Sequence, residues 1–341
     1  MREPPFWWRA AGIESCLLAP AAAIYGAVAA SRLSRKGYRA GVPVICIGNP
    51  TLGGAGKTPT ALAIARMLQA AGERPVFLSR GYGGCQSGPL LVAPDRDCAA
   101  DVGDEPLLLA RAAPTVVAHD RVAGAKTAHA AGATVIVMDD GFQNPSLAKD
   151  LSVLVIDGRR GLGNSKVFPA GPLRAPLDAQ LARADAVVLV GAVGEDVAAA
   201  KTAAQARKLP LFRARLEPDR EVIAALTGRH VLAFAGIGDP EKVFATLREA
   251  GIAIAATRSF ADHHRYTPAD VQELCRQADA EGLTLVTTEK DTARLQGEAA
   301  LAQLAARVCV LPVGLVFEQE AALGKLLIDR IAAVRARRLG P

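Results

Sequence analysis

The stretch from Gly48 to Ala63, G-N-P-T-L-G-G-A-G-K-T-P-T-A-L-A, restricts the fold of this chain more than any other. An apolar run, Val42–Asn49, leads into it and reads as a strand. The segment Pro59–Gly72 leads out of it and reads as a helix ended by a glycine. Strand, glycine-rich turn and helix in that order make a βα unit with a phosphate loop at the turn. Gly53, Gly54, Ala55 and Gly56 let backbone N–H groups converge on phosphate oxygens without obstruction by side chains. Lys57 follows to reach the β- and γ-phosphates of ATP, and the Thr58 hydroxyl is suited to Mg2+. Two positions depart from G-x-x-x-x-G-K-[ST]. Thr51 stands where the first glycine is expected, and Pro59 sits in the first helical turn, where a missing N–H costs little. A glycine-rich turn with no ligand has similar spacing. The full order of strand, loop, lysine, threonine and helix favours a nucleotide.

Further apolar runs alternate with helical patterns: Arg74–Gly84, Thr134–Gly141, L-S-V-L-V-I-D-G and A-D-A-V-V-L-V-G are strands. This alternation predicts an α/β fold, a phosphate-loop NTPase-like, mainly parallel sheet with helices on both faces. Ligands on such sheets bind beyond the carboxyl ends of the strands. The pattern restarts after about residue 215, with L-F-R-A-R-L-E-P-D-R-E-V-I-A-A-L as connector, which predicts a smaller C-terminal α/β domain. The expected division is 1–40, 41–215 and 216–341.

The chain has 341 residues, a net charge of +6 and a sequence pI of about 9.1, which favours anionic partners. Aromatic residues make up 4%, too few for a base-stacking platform, so no nucleic-acid partner is expected. No protein partner is predicted either. The six cysteines lie far apart without a C-x-x-C pair and read as small core residues in a reducing compartment. The apolar run Leu17–Ala30 follows F-W-W-R and precedes Arg32, Arg35, Lys36 and Arg39. A signal peptide and a core helix share this pattern, and the run is short of the ~20 residues of a membrane span. Interfacial tryptophans and a basic cluster favour a helix on an anionic membrane surface.

Asp139 and Asp140 end a buried strand, where a Mg2+-binding acid belongs. Asp104 and Glu105 precede a helix, and by spacing alone Asp104 is a helix cap. Asp262-His263-His264 is either structural or a base facing a cleft. G-I-G-D-P-E at Gly236–Glu241 lacks the third glycine of a dinucleotide fingerprint and reads as a plain turn. No N-K-x-D motif of a GTPase is present.

The motifs G-N-P-T-L-G-G-A-G-K-T-P, L-S-R-G-Y-G-G, G-D-E-P-L-L-L-A, M-D-D-G-F-Q-N, P-A-G-P-L-R, F-A-G-I-G-D-P-E-K-V-F, F-A-D-H-H-R-Y-T and L-V-T-T-E-K-D occur in that order. Together they resemble the tetraacyldisaccharide 4'-kinase family over nearly the whole chain, Thr51 and Pro59 included. The resemblance implies transfer of phosphate from ATP, with Mg2+, to the 4'-hydroxyl of an acylated glucosamine disaccharide. It implies an enzyme at the cytoplasmic face of the inner membrane, peripheral or shallowly inserted. By the same likeness Gly53 to Thr58 bind ATP. Thr58 with Asp139 or Asp140 handles Mg2+, with Gln143 nearby. Asp104 and His263 form a catalytic pair, which displaces the cap reading of Asp104. Arg80, Tyr82, Asn144 and Arg174 are expected to meet the lipid substrate. Asn144 and Ala175 depart from the histidine and glutamate that the family commonly carries there. Two other readings fit parts of the pattern: a soluble phosphate-loop kinase of a small metabolite, and an ATP-driven membrane switch.

Overall fold

The computed structural model describes residues 3–192, 194, 197–296 and 299–339. Its larger sheet has nine strands. In chain order these are β1 (Val44–Gly48), β2 (Pro75–Ser79), β3 (Leu90–Leu91), β4 (Thr115–Val117), β5 (Val135–Asp139), β6 (Leu151–Asp157), β7 (Ala186–Val190), β8 (Leu211–Pro218) and, from the far end of the chain, β13 (Val313–Phe317). The order across the sheet is β13-β8-β7-β6-β1-β5-β2-β4-β3. Only the two edge pairs, β13 with β8 and β3 with β4, run antiparallel.

Side chains alternate across the strands and so build two cores. On one face Ile45, Ile47, Val135 and Val137 pack with Ile64 and Leu68 of the helix Lys57–Ala70. On the other, Val44, Cys46, Ile136 and Met138 pack with Ala125 and Ala128 of the helix Arg121–Ala130. The smaller sheet is parallel, ordered β10-β9-β11-β12, from β9 (His230–Ala235), β10 (Ala253–Ser259), β11 (Thr284–Thr288) and β12 (Cys309–Leu311).

Two expectations are corrected. The supposed connector is strand β8 followed by the helix Arg220–Leu226. In the strand, Phe212 and Ala214 are buried while Arg213 and Arg215 point out, and it pairs with β7 on one side and β13 on the other. The second domain also does not run from 216 to 341. Pro312 separates β12, in the smaller sheet, from β13, in the larger one. The closing helix, Glu320–Leu339, then lays Leu323, Leu327 and Ile331 into the first core. Arg335 fixes it there through two 2.7 Å bonds to the Glu73 carboxylate. Of the cysteines, only Cys46 and Cys275 are buried, and all six are free.

The N-terminal helix runs from Ile13 to Leu33, longer than the apolar run suggested. Its 21 residues span about 31 Å, enough in length and composition to cross a membrane. It is nevertheless docked along one side. Ser15, Ala22 and Gly26 are its buried residues, Ser15 bonds the Ala170 carbonyl, and the Tyr25 and Phe168 rings meet at 5.2 Å. Ile13, Leu17, Ile24 and Val28 form an exposed apolar stripe, since residues four and seven apart share a face.

Candidate active site

Strand β1 ends in the glycine loop, and β5 lies directly beside it, pairing Ile47 with Asp139. This register sets both aspartates of the β5 end next to the loop. Gly56 caps the helix Lys57–Ala70 at φ 90°, a left-handed conformation suited to glycine. Pro59 occupies the third helical position, where no intrahelical N–H bond is lost. Thr51 is paired rather than cradling: it bridges Leu173, and its carbonyl accepts from Asn49 Nδ2 at 2.6 Å and Arg174 Nε at 2.9 Å. That pairing accounts for a residue other than glycine there.

Lys57 and Thr58 are buried at the helix start, and Lys57 Nζ lies 3.7 Å from Asp140. Arg174 grips Asp140 with two N–H groups, at 3.1 and 3.4 Å. Burial would raise the Asp140 carboxyl, but Lys57 and Arg174 hold it below its ordinary range. Asp139 has the opposite character. Both its oxygens are buried without a hydrogen-bond partner. Burial, with the charge of Glu105 beside it, pushes its carboxyl up to about 7.

These features fit a nucleotide and its cation. An unpartnered buried carboxylate is costly unless a positive group completes it. A Cβ built on Gly54 meets nothing within 4 Å, so the backbone there faces open space. Among the described residues no cluster of three or more His, Cys, Asp or Glu could enclose a metal. Mg2+ suits such a place, because it takes one or two protein oxygens and completes its shell with phosphates and water.

The second domain approaches this loop from above. Gly238 lies so that a Cβ there would be 3.8 Å from the Gly54 nitrogen. Asp239 pairs with Arg159 and, at 3.4 Å, with Arg160, while Lys242 pairs with Asp157. The turn Gly236–Glu241 is therefore a contact between the domains. Glu3 joins the same cluster: it pairs with Arg160 at 2.9 Å, bonds Trp8 and sits against Gly53.

A small, open cavity is lined in part by Tyr82, Asp104, His263, Arg265 and Arg294. Asp104 is the first residue of the helix Asp104–Ala110, whose cap is Gly103. It is buried, and its Oδ2 lies 3.3 Å from His263 Nδ1. His263 comes from the other domain, on a loop where its own φ is 55°, and its ring meets that of Tyr82 at 5.0 Å. A left-handed histidine is uncommon, and the strain is accepted where the side chain must be aimed. The hydrogen bond to Asp104 raises the His263 imidazole above its ordinary value. Burial would raise Asp104, but His263, Arg294 and Lys290 together hold it well below the carboxylate range.

The expected residues separate into groups. Gly53 to Thr58, Asp139, Asp140 and Arg174 gather at the loop; Tyr82, Asp104 and His263 gather at the cavity. Arg80 is exposed on the loop between them and is close enough to influence the charge of Arg121. Gln143 stands behind the loop, its amide donating to the Asn49 carbonyl at 3.0 Å and to Gln180. Gln143 thus braces the loop through Asn49 with its amide nitrogen, and only its Oε1 is left to meet a metal. Asn144 is not brought to the cavity with His263. Its carboxamide oxygen closes a turn by accepting from Ser146 N and Oγ, and it lines a separate cavity with Arg35 and Lys149. Ala175 is buried, with only its carbonyl engaged, by Gln180.

Several neighbours were missed. Arg294 bonds Asp104, Lys290 bonds Glu105 at 2.6 Å, and both come from the helix Glu289–Leu295. The available signal was their spacing: two cations four apart on one helix face can meet two adjacent acids. Arg121 is buried with its Nε unpartnered, and its charge reaches Asp140.

Comparison with known proteins identifies the family. The family model for tetraacyldisaccharide-1-P 4'-kinase, LpxK, matches residues 14–332. A tetraacyldisaccharide 4'-kinase of Nitrobacter winogradskyi is 57% identical over 337 residues, covering 98% of this chain and 99% of that protein. One of Bradyrhizobium diazoefficiens is 54% identical over 342 residues, covering 100% and 99%. Among solved structures, LpxK from Aquifex aeolicus, crystallised in complex with ATP, superposes with a TM-score of 0.71. It is 27% identical, and the match covers 93% of this chain and 99% of that one. A phosphate loop with two adjacent acids, faced by an Asp–His pair shared between two domains, thus occurs in a chain that belongs to the tetraacyldisaccharide-1-P 4'-kinase family.

Proposed function

We propose that this chain moves the γ-phosphoryl group of ATP to the 4'-hydroxyl of a tetraacylated glucosamine disaccharide. The observation that carries the reading is the buried Asp104 carboxylate 3.3 Å from His263 Nδ1, across the domain boundary and beside the phosphate loop. Asp104 fixes the imidazole by accepting a hydrogen bond from Nδ1–H, which leaves Nε2 as the proton acceptor. His263 Nε2 then takes the hydroxyl proton while that oxygen bonds to the γ-phosphorus and the bond to ADP breaks. Imidazolium formed in this step is stabilised by the adjacent Asp104. Lys57 and the loop N–H groups hold the phosphate oxygens, and Arg174 keeps Asp140 in place. Thr58 and Asp139 or Asp140 would hold Mg2+, which would supply positive charge at the phosphates. Tyr82 lies on the wall where the sugar would enter, and Arg80 is exposed two residues before it.

The lipid is confined to a bilayer, and the N-terminal helix suits an enzyme that meets it there. One side of that helix is docked on the protein, which favours lying along the cytoplasmic surface over spanning it. The outer stripe of Ile13, Leu17, Ile24 and Val28 would enter the acyl boundary, with Arg32, Arg35, Lys36 and Arg39 near the headgroups.

The test is transfer of labelled γ-phosphate from ATP to a tetraacyldisaccharide-1-phosphate in detergent micelles. Label is expected in the lipid, with far less in an unacylated disaccharide. Release of inorganic phosphate without labelled lipid would instead support a nucleotide-driven switch.

A further inference from the structure

Asp104 has a second partner besides His263, and it is the better bonded of the two. Arg294 Nε donates to Asp104 Oδ2 at 2.8 Å, and its Nη2 reaches the same oxygen. His263 Nδ1 faces that oxygen too. The other oxygen, Oδ1, accepts the Glu105 backbone N–H at 2.9 Å. Asp104 therefore cannot rotate without breaking bonds on both sides.

Arg294 is in turn fixed from behind. Its Nη1 donates to the Gly236 carbonyl at 2.7 Å and to Asp291 Oδ1 at 2.9 Å. Asp291 is fully buried; it accepts from the Gly236 N–H at 3.0 Å, the Tyr266 hydroxyl at 2.9 Å and the Thr288 hydroxyl at 2.6 Å. His263 hangs from the same turn, its backbone N–H bonded to the Gly236 carbonyl at 3.0 Å. One carbonyl thus holds the histidine and the arginine together.

We propose that Arg294 is a positioning residue for phosphoryl transfer: anchored by Asp291 and the Gly236 carbonyl, it locks the Asp104 carboxylate of one domain against the His263 imidazole of the other. The inference rests on the reading of Asp104 and His263 as an acid–base pair and adds what aligns them. Two consequences follow from the charges. With Arg294 present, the Asp104 carboxylate is shared, so it pulls less strongly on the imidazole proton. The groups acting on His263 are Asp104 and Asp262, which favour its charged form, and Arg294, which opposes it. Lys290, paired with Glu105, acts on Asp104 from the same helix as Arg294. Tyr82 contributes a ring and no charge. Arg294 is therefore the cation that opposes the charged form of the imidazole.

The test compares Arg294→Gln, Arg294→Lys, Asp104→Asn and the double variant Asp104→Asn/Arg294→Gln. Measurements are kcat and kcat/KM against pH in the micelle assay, ATP affinity by calorimetry, and thermal unfolding. Arg294→Gln is expected to lower kcat roughly 10- to 100-fold, the loss that follows from a small misplacement of a reacting group. Its acidic pH limb should move to higher pH, because the imidazole loses an opposing charge, while ATP affinity stays as in the wild type. Arg294→Lys keeps the charge but not the fork, so it should recover part of the rate with its limb unmoved. In the Asp104→Asn background, Arg294→Gln should add little.

Wild-type kcat and pH limb in Arg294→Gln would overturn the inference. So would an equal further loss in the Asp104→Asn background, which would mean that Arg294 acts elsewhere. If Arg294→Gln does not fold, Arg294→Lys decides: wild-type kcat there removes the need for the fork. Full activity in Asp104→Asn would overturn the acid–base reading itself and this inference with it.

Discussion

Replacing Gly54 and Gly53 by alanine, one at a time, separates a loop built for a ligand from a loop built only to turn. The two are adjacent and chemically identical, but their surroundings differ. Gly54 does not have a left-handed backbone, and a Cβ there meets nothing within 4 Å. Gly54→Ala should therefore leave folding intact, and a reduction in unfolded-chain entropy would stabilise it by about 0.4–1 kcal/mol. If the open space is where phosphate oxygens sit, the new methyl group intrudes on them. Overpacking of that kind costs about 1–3 kcal/mol, or roughly 5- to 150-fold in Kd. Gly53 has φ +93°, and a Cβ there would stand 2.1 Å from Glu3 Oε1. The left-handed backbone alone costs about 1–2 kcal/mol for alanine. Glu3 must also withdraw, giving up bonds to Arg160 and Trp8. Gly53→Ala should then lose stability, and Gly54→Ala should lose ATP affinity at unchanged or raised stability. Thermal unfolding without nucleotide and titration calorimetry with ATP and Mg2+ give the two numbers for each variant. Wild-type ATP affinity in a folded Gly54→Ala protein would refute the idea that phosphate approaches this backbone.

Four other outcomes are expected. Lys57→Ala should keep its fold and lose about 10²- to 10³-fold in kcat, as for other groups that stabilise a charged transition state; turnover near the wild-type rate would remove Lys57 from the phosphates. Asp139→Asn should abolish Mg2+-dependent turnover yet melt no lower than wild type without metal. Because burial raises Asp139 to about 7, its ionisation opposes folding as pH rises toward and through that value, so the gain should be largest on the alkaline side. The acidic limb of kcat/KM should lie above 6.5, the ordinary histidine value, because His263 is raised by Asp104 and the base is lost as pH falls through the raised value. Neutralising Arg32, Arg35, Lys36 and Arg39 should weaken sedimentation with anionic vesicles and raise the KM for lipid, with ATP affinity unchanged; equal losses in both would place the segment in the folded core.

The phosphate loop was legible because its chemistry is local. Sixteen consecutive residues, Gly48 to Ala63, state the strand, the turn, the lysine and the helix at once. The parallel sheet was legible for a related reason, since buried strands such as Val135–Asp139 are continuous apolar runs. What stayed hidden was long-range. Strand β8 carries arginines at alternate positions and so reads as a polar connector, although its alternation is that of a strand with one exposed face. Nothing within Val313–Phe317 says that it leaves the smaller sheet; only its antiparallel partner, 95 or more residues earlier, decides that. Asp104 was ambiguous for the same reason. An acid at a helix start has a sufficient local explanation, and its partners, His263 and Arg294, lie more than 150 residues away.

The placement of those partners bears on why the chain needs a second domain. The larger domain supplies the glycine loop, Lys57, Asp139 and Asp140. His263, the proposed base, and Arg294, proposed to align it, come from the smaller domain, on a turn and a helix tied to each other through Asp291 and Gly236. Asp104 is the single carboxylate that accepts both, and it belongs to the larger domain. A complete acid–base pair therefore exists only while the domains are together, held also by Arg159 and Arg160 on Asp239 and by Lys242 on Asp157. Separation would take His263 and Arg294 away from Asp104, while Arg294 would keep Asp291. Such an arrangement ties the chemistry to assembly of the cleft, and it discourages transfer to water when the domains are apart. Glu3 extends the same linkage to the N-terminal segment, since it shares Arg160 with Asp239 and rests on Gly53. The segment that would meet the membrane thus touches the loop that would meet ATP through one side chain.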